Sequence, residues 1–560
     1  MPVFVIFAHT TRMKKRIKSL FTGAGALVAC SFVGKLLGAL YRIPLTNVLG
    51  GEGMGLYQMV FPLYTLILTL SSGGLPVALS RIISVRLSGG DREGATRVLK
   101  LSLAVFTLLG GICSLILACS SRFIASVQGN EDAYLAYLAI APAITFVSIL
   151  ACMRGYWQGR ENMLPSALSQ IIEQVVKLSL GLLLARVMLT YGVEWSVFGA
   201  LLGVSCAELL SALALTLPFL IFKKKWVKSE NGGVRYAPFE PLTTEFGEDN
   251  ATVLPSKSVK IDVRKDNIAL VKEILRLAIP VTFGSLVLPL TQVVDSFLVV
   301  NILSARGTKE SATMAYGLFT GTVSTLINLP VVIIYALSVA LLPRVAKLQK
   351  NQNEAGREAQ FSLKTGIALG VLATLFFIVS APDIVDLLYS AGLGQSQRSL
   401  CVSLIRISAI SVFYVAVIQS ATSVLQGLGK AKIPALNLAI GGVVKVLVTT
   451  LSLFFFGIFG AAIGTACCYA VTAILDLKAM QKRLPVTFHK KGVWAILIAT
   501  GGYAVSALLL KWLFLPCGRV LSFLLSESVA FFLFFALLLP FGWFDGAETK
   551  RILPFFKQKR

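Results

Sequence analysis

The groups in this chain that could do chemistry are charges standing in otherwise apolar sequence. Lys35 and Arg42 lie in an apolar run, 22–46, that contains no acid. Seven residues is two helical turns, so both project from one face. A charge at bilayer depth costs from about 2.5 to more than about 10 kcal/mol and usually faces a cavity or a partner. Two cations facing a cavity suit an anion, and a pyrophosphate would engage both. The alternative is that Arg42 snorkels to the outer interface and Lys35 pairs with an acid on another helix. Glu173 and Lys177 are spaced i,i+4 with the acid first, the favourable order for an intrahelical pair, and read as structural. Asp295 follows Gln292 by one turn in a run bent by Pro280 and Pro289. It could bind Na⁺ or a proton, or pair with one of the cations. Arg276, near the start of the same run, could meet an anionic headgroup or snorkel. Glu208 and Arg406 have no role assignable from sequence.

Other chemistries lack their residues. No GxxxxGK[ST] loop is present, and the two histidines, His9 and His489, lie outside the apolar runs. The nine cysteines form no CxxC pair and read as small apolar helix residues. No cofactor or metal is expected beyond a coupled Na⁺ or H⁺. Directed movement would then draw on ion gradients or membrane potential, worth about 2.3 kcal/mol per charge per 100 mV.

The elements that must hold these charges follow from composition. Of 560 residues, 56% are hydrophobic and 14% charged, against about 25% charged in a soluble domain. The apolar residues come in runs, and about 20 suffice to cross hydrocarbon. Fourteen spans are expected: 22–46, 54–80, 101–121, 134–157, 166–190, 195–222, 270–302, 313–342, 361–381, 400–425, 433–456, 458–479, 492–513 and 519–541. Of the 52 Lys and Arg, 35 fall in the amino terminus, the even-to-odd connections and the tail. Only 4 fall in the opposite connections, and 13 lie within spans. Lys272, Lys364 and Lys478 are near enough to span ends to snorkel. This asymmetry places both termini in the cytoplasm. The net charge of +25 is therefore mostly orientation, with attraction to anionic lipid from Lys223-Lys224-Lys225 and the tail, and needs no nucleic acid.

The chain divides into an amino terminus at 1–21, a first lobe at 22–222 and a cytoplasmic linker at 223–269 read as flexible. A second lobe at 270–480, a last helix pair within 481–541 and a basic tail at 542–560 follow. Met13-Lys14-Lys15-Arg16 reads as a natural start, with residues 1–12 as an extension. The lobes repeat each other. Gly55-Leu56-Tyr57 matches Gly317-Leu318-Phe319 at an offset of 262, and Gln158-Gly159 with Val175-Val176-Lys177 matches Gln426-Gly427 with Val443-Val444-Lys445 at 268. Six spans separate matched elements, so the repeats share one orientation, a transporter architecture. Lys445 is the partner of Lys177, but Gly441 stands where Glu173 would be. Lys445 is thus a candidate for lining the pathway.

The duplication, the opening run Gly34-Lys35-Leu36-Leu37-Gly38-Ala39-Leu40-Tyr41-Arg42-Ile43-Pro44, and the segments 51–57 and 73–81 resemble the polysaccharide-exporter (MOP) superfamily. Within it the chain is most similar to the MurJ-type lipid II flippases and the stage V sporulation protein B group. The resemblance implies an all-α integral membrane protein, two six-helix lobes forming a V, and a cationic cavity lined by helices 1, 2, 7 and 8. It also implies a groove for a polyprenyl tail at the last helix pair. Two arginines of that family's helix 1 follow S-R-V-L-G-x-x-R. Lys35 stands at the first, and Arg42 one position past the second. The arginines of helices 2 and 8 have no match, the latter region reading Ala315-Tyr316-Gly317-Leu318. A sodium-site aspartate in helix 7 would be Asp295.

The expected protein is not an enzyme. It is a flippase carrying an undecaprenyl-pyrophosphate-linked precursor, lipid II first, across a bacterial cell membrane, with Lys35, Arg42, Arg276 and Lys445 on substrate and Asp295 coupling a cation. Other cell-wall synthesis proteins are expected partners. The alternatives are a flippase for another polysaccharide unit, a multidrug exporter of the same superfamily, or a membrane glycosyltransferase. The exporter would prefer cations, and the transferase wants an acidic outer loop that is absent. The orientation is testable by thiol labelling in a cysteine-free background. Lys309→Cys should react with a membrane-impermeant maleimide in intact spheroplasts, and Ser256→Cys only after permeabilisation.

Overall fold

A computed structural model describes residues 24–229, 263–348, 351–486, 490–514, 516, 518–546 and 548–549. The amino terminus 1–21, most of the linker, the tail from 550, His9, His489, Cys517 and the side chain of Lys35 lie outside the described residues. Within them the chain is helical throughout. Among the described residues, twelve stretches are long and apolar enough to cross a bilayer. The first, Phe32–Ser88, takes in the later part of the first expected span and all of the second. The fifth lies on a helix of sufficient length, Leu164–Met188, that is made more polar by Gln170, Glu173, Gln174 and Lys177. This is a multi-pass membrane protein.

The chain forms two compact units, 1–297 and 298–560. The first contains α1 (Ala24–Ser72), α2 (Leu75–Ser88), α3 (Arg92–Cys119), the short α4 (Ser121–Val127), α5 (Tyr134–Gly159), α6 (Leu164–Met188) and α7 (Val193–Ser229). It also takes in most of α8 (Val263–Ser304). Local sequence sets several boundaries. Asp91 caps α3 by accepting from the Gly94 amide at 2.7 Å. Proline sits in the opening turn of α2 and α6, where its missing N–H costs nothing.

The sequence division opened the second lobe at 270, whereas the units part within α8. Three polar bonds explain why its earlier turns belong to the first unit. Arg97 Nη2 donates to Asn267 Oδ1 at 2.8 Å, the Gly74 amide donates to Thr282 Oγ1 at 3.0 Å, and Gln128 Nε2 donates to Ser296 Oγ at 3.1 Å. Leu270 and Ile274 also join the apolar core formed by α2, α3 and α5.

The second unit holds α9 (Lys309–Gly317), a π-helical turn (Leu318–Val323), α10 (Ser324–Lys347), α11 (Gln352–Tyr389), α12 (Gln395–Ser408) and α13 (Ile410–Gly427). It continues through α14 (Lys432–Phe456), α15 (Phe459–Gln481), α16 (Lys490–Leu513) and α17 (Arg519–Leu538). The repeat read from sequence is visible in the packing. The pairs α2–α5, α3–α5, α5–α7 and α6–α7 of the first unit recur as α10–α13, α11–α13, α13–α15 and α14–α15.

The last pair, α16–α17, packs on α11 through Ala368, Leu372, Tyr503 and Phe534. Lys364 does not snorkel. It is buried, with Nζ 2.9 Å from Glu548 and 3.5 Å from Asp545, and its carbonyl accepts from Trp543 Nε1 at 3.1 Å. The chain beyond α17 returns to α11 and supplies carboxylates there, so the lysine gains partners without reaching an interface.

Where α6 and α7 cross, small residues let the backbones touch, as in other membrane helix pairs. A Cβ on Gly203 would stand 2.4 Å from Gly181 Cα, with no flexible side chain to yield. Gly203→Leu should therefore lower the thermal unfolding temperature in detergent, consistent with an overpacking cost of about 1–3 kcal/mol or more. Gly501→Ala, which meets nothing within 4 Å, should leave it unchanged within error.

Candidate functional site

The first unit's charges are gathered by a break in α1. Gly50 has φ 67° and ψ −173°, a left-handed conformation that glycine adopts without a Cβ penalty. In a straight helix Arg42 and Phe61 would stand about 28 Å apart along the axis. The kink folds the second half back, and the Arg42 guanidinium lies over the Phe61 ring at 5.7 Å from its centroid. Phe61 stacks on buried Tyr57 at 5.6 Å. Tyr57 is within electrostatic reach of both Arg42 and Lys177. Cations on the first and sixth helices of this unit thus share one neighbourhood.

Lys177 belongs to a charge network rather than to a lone intrahelical pair. Its Nζ is 3.5 Å from Glu173 Oε1, and Arg154 Nη2 on α5 is 3.0 Å from Glu173 Oε2. Arg154 Nε also donates to Ser169 Oγ at 2.9 Å, and Gln174 Nε2 donates to Glu173 Oε1 at 3.1 Å. From α7, buried Glu208 lies within electrostatic reach of Glu173, Lys177 and Arg154. The side chains of Arg154, Glu173 and Lys177 keep 18, 14 and 13% exposure, so the network has an accessible edge. Sequence reasoning saw the i,i+4 pair but not Arg154 or the place of Glu208. Their partners lie on other helices, and the signal was only that both were ionisable within spans.

The other expected site residues are dispersed. Lys35 lies on α1 before the kink, in register with Arg42. Asp295 is buried on α8 next to Ser296, whose hydroxyl accepts from Gln128. Arg276 is exposed on an earlier turn of α8. Lys445 is half-buried on α14 in the second unit.

At the offset of 268, Arg154, Ser169 and Glu173 correspond to Thr422, Asn437 and Gly441. There the second unit places Asp476, fully buried on α15. Asn437 Nδ2 donates to its Oδ1 at 2.7 Å and Thr422 Oγ1 to its Oδ2 at 3.3 Å. Among the described residues no Lys or Arg pairs with it. Equivalent positions therefore hold a carboxylate by opposite means, an arginine and a lysine in one unit and an amide and a hydroxyl in the other. Sequence reasoning did not single out Asp476.

The family model described as polysaccharide biosynthesis protein matches residues 20–349. The chain is 29% identical to stage V sporulation protein B of Bacillus subtilis (strain 168), over 85% of this chain and 86% of that one. It is 22% identical to lipid II flippase MurJ of the same organism, over 88% of each. A solved structure of lipid II flippase MurJ in an inward closed conformation superposes with TM-score 0.65, covering 95% of this chain and 99% of that one at 13% identity, which shows a common fold.

The network makes a quantitative prediction. Glu173→Ala would strand Arg154 and Lys177 near each other in a largely dry interior, and breaking a buried pair costs about 3–5 kcal/mol. Its thermal unfolding temperature in detergent should fall well below that of the wild type. The double variant Arg154→Met/Glu173→Leu should recover part of the loss, because one stranded cation, Lys177, is then left instead of two.

Proposed function

The chain belongs to the polysaccharide biosynthesis protein family, and on that premise we propose that it is a flippase. It carries an undecaprenyl-pyrophosphate-linked cell-wall precursor, lipid II in the first instance, from the inner to the outer leaflet of the bacterial cytoplasmic membrane. Movement is by alternating access, with both termini in the cytoplasm. The observation that carries this reading is Arg42 folded over Phe61, itself stacked on Tyr57, with Lys177 within electrostatic reach of the same tyrosine inside a membrane-embedded unit. With Arg154 these are three cations against the carboxyls of Glu173 and Glu208, so positive charge remains in the neighbourhood even with both acids ionised. A diphosphate headgroup is the membrane component best suited to that charge, since it is anionic, and arginine can hold it through paired N–H donors.

Lys35 and Arg42 engage the pyrophosphate, Arg276 meets it near the cytoplasmic start of α8, and Lys445 assists from the second unit. Asp295 couples a cation to the return step. Likeness to lipid II flippase MurJ over 88% of each chain supports this assignment. One departure favours a second reading. The junction of α9 with the π-helical turn in the second unit, Ala315-Tyr316-Gly317-Leu318, lacks the cation of the flippase pattern, which fits a pyrophosphate-linked glycolipid other than lipid II.

Depletion in cells, with lipid II accessibility assayed from outside, tests the proposal. Accessible lipid II should fall on depletion and be restored by the wild type. Lys35→Ala and Arg42→Ala at equal expression should each restore less than about a tenth, a loss of about 1.4 kcal/mol or more in effective binding. Unchanged accessibility on depletion would exclude lipid II as cargo, and full restoration by both variants would exclude them as its ligands.

A further inference from the structure

We propose that Lys177 is a cargo ligand held in reserve, which leaves Glu173 for a diphosphate headgroup while Arg154 and Gln174 keep Glu173 satisfied. This role rests on the cargo reading above and adds a residue of α6 to the groups that meet the headgroup.

The two cations on Glu173 are held differently. Arg154 is fixed at two atoms, with Nη2 at 3.0 Å from Glu173 Oε2 and Nε donating to Ser169 Oγ at 2.9 Å. A planar guanidinium that makes both bonds has little freedom to turn. Gln174 Nε2 donates to the other carboxylate oxygen, Oε1, at 3.1 Å. Lys177 Nζ reaches that same oxygen only at 3.5 Å. A charge-assisted N–H···O bond is shorter, about 2.7–2.9 Å. An ammonium on a flexible four-carbon stem re-aims without moving its helix. When Lys177 leaves, Glu173 keeps one full counter-charge and an amide donor, so the departure strands no carboxylate.

Packing puts Lys177 on the seam between α6 and α1. A Cβ on Gly38 would stand 3.0 Å from Gln174 Oε1, and one on Gly181 2.7 Å from the Tyr41 hydroxyl. Lys177 is three residues after Gln174 and four before Gly181, so it shares their helix face between these two contacts. On α1, Arg42 is one turn beyond Gly38 and directly follows Tyr41. The lysine thus lies along the same stretch of seam as Arg42. Its side chain keeps 13% exposure, which leaves the ammonium an open edge. Glu208 on α7 is also within electrostatic reach of Lys177. A diphosphate carries more charge than either carboxylate and attracts the ammonium more strongly. Before cargo arrives, Glu173 neutralises a lysine that would be costly alone at this depth. The second unit has no such arrangement, since Gly441 stands one turn before Lys445.

The test uses the full-length protein in phosphatidylcholine nanodiscs, with binding of inorganic pyrophosphate and of farnesyl diphosphate measured by calorimetry. K177M should weaken both at least about tenfold, and K177R should recover most of that loss. The unfolding temperature of K177M should stay within about 2 °C of the wild type, because Glu173 keeps Arg154. E173Q, which takes the carboxylate from Lys177, should bind about threefold tighter or more, and K177M/E173Q should lose that gain. Should E173Q fold poorly, K177M and K177R decide by themselves. Unchanged affinity in K177M, or an E173Q gain that survives in the double variant, would overturn the proposal. Weaker binding by R42A with none by K177M would leave the cargo reading intact and remove Lys177 from it. Failure of the wild type to bind either probe would overturn both. Lys177-dependent binding of farnesyl diphosphate alone would uphold the exchange and assign it to a lipid-linked headgroup. Lys177-dependent binding of inorganic pyrophosphate alone would uphold the exchange and count against a lipid-linked cargo.

Discussion

Hydrocarbon offers a carboxylate neither counter-charge nor hydrogen bonds, so one held at bilayer depth must find both within the protein. Glu173 meets that requirement by drawing Arg154 from α5 and Lys177 and Gln174 from its own helix, while Glu208 approaches from α7. The helices that supply these groups are those that pack together in the first unit. Their close approach depends on small residues such as Gly181 and Gly203. Electrostatic need and steric fit thus select the same arrangement.

The duplicated unit answers the same requirement differently. Its helix pairings repeat those of the first unit, yet Thr422, Asn437 and Gly441 replace Arg154, Ser169 and Glu173. The carboxylate there is Asp476, supplied by α15 and held by an amide and a hydroxyl. Lys445 is retained from the repeat while the acid four residues before it is not. One backbone plan therefore carries two charge states, so the two halves are alike in packing and unlike in chemistry.

The last helix pair is tied to the second unit by polar bonds as well as by apolar packing. Glu527 on α17 accepts from Ser380 on α11 and Tyr503 on α16, and Lys511 pairs with Asp383. The segment after α17 adds Asp545 and Glu548 to buried Lys364. Each bond satisfies a group that would be costly unpaired at that depth. Together they join α16 and α17 to α11, while outward residues such as Leu508, Leu509 and Trp512 remain exposed.

Much of this was legible in the sequence because hydrophobic length is a local property. Run lengths imposed a helical membrane protein, and constant offsets imposed a repeat that recurs in the helix pairings. Residues Gly34 to Pro44 carried the family likeness. Local spacing also identified the Glu173–Lys177 pair, since i,i+4 neighbours meet in any helix. What it could not supply were partners on other helices. Arg154 and Glu208 lie 19 residues before and 35 after Glu173, and no local rule joins them. Nor does spacing show that Gly50 folds Arg42 over Phe61, that α8 starts in the first unit, or that Lys364 is buried under the carboxyl end. Hydropathy fixes which residues enter the membrane, because transfer from water acts on each segment separately. Which charges meet is decided by packing, because a buried ion is stabilised only by groups that the fold brings within a few ångströms.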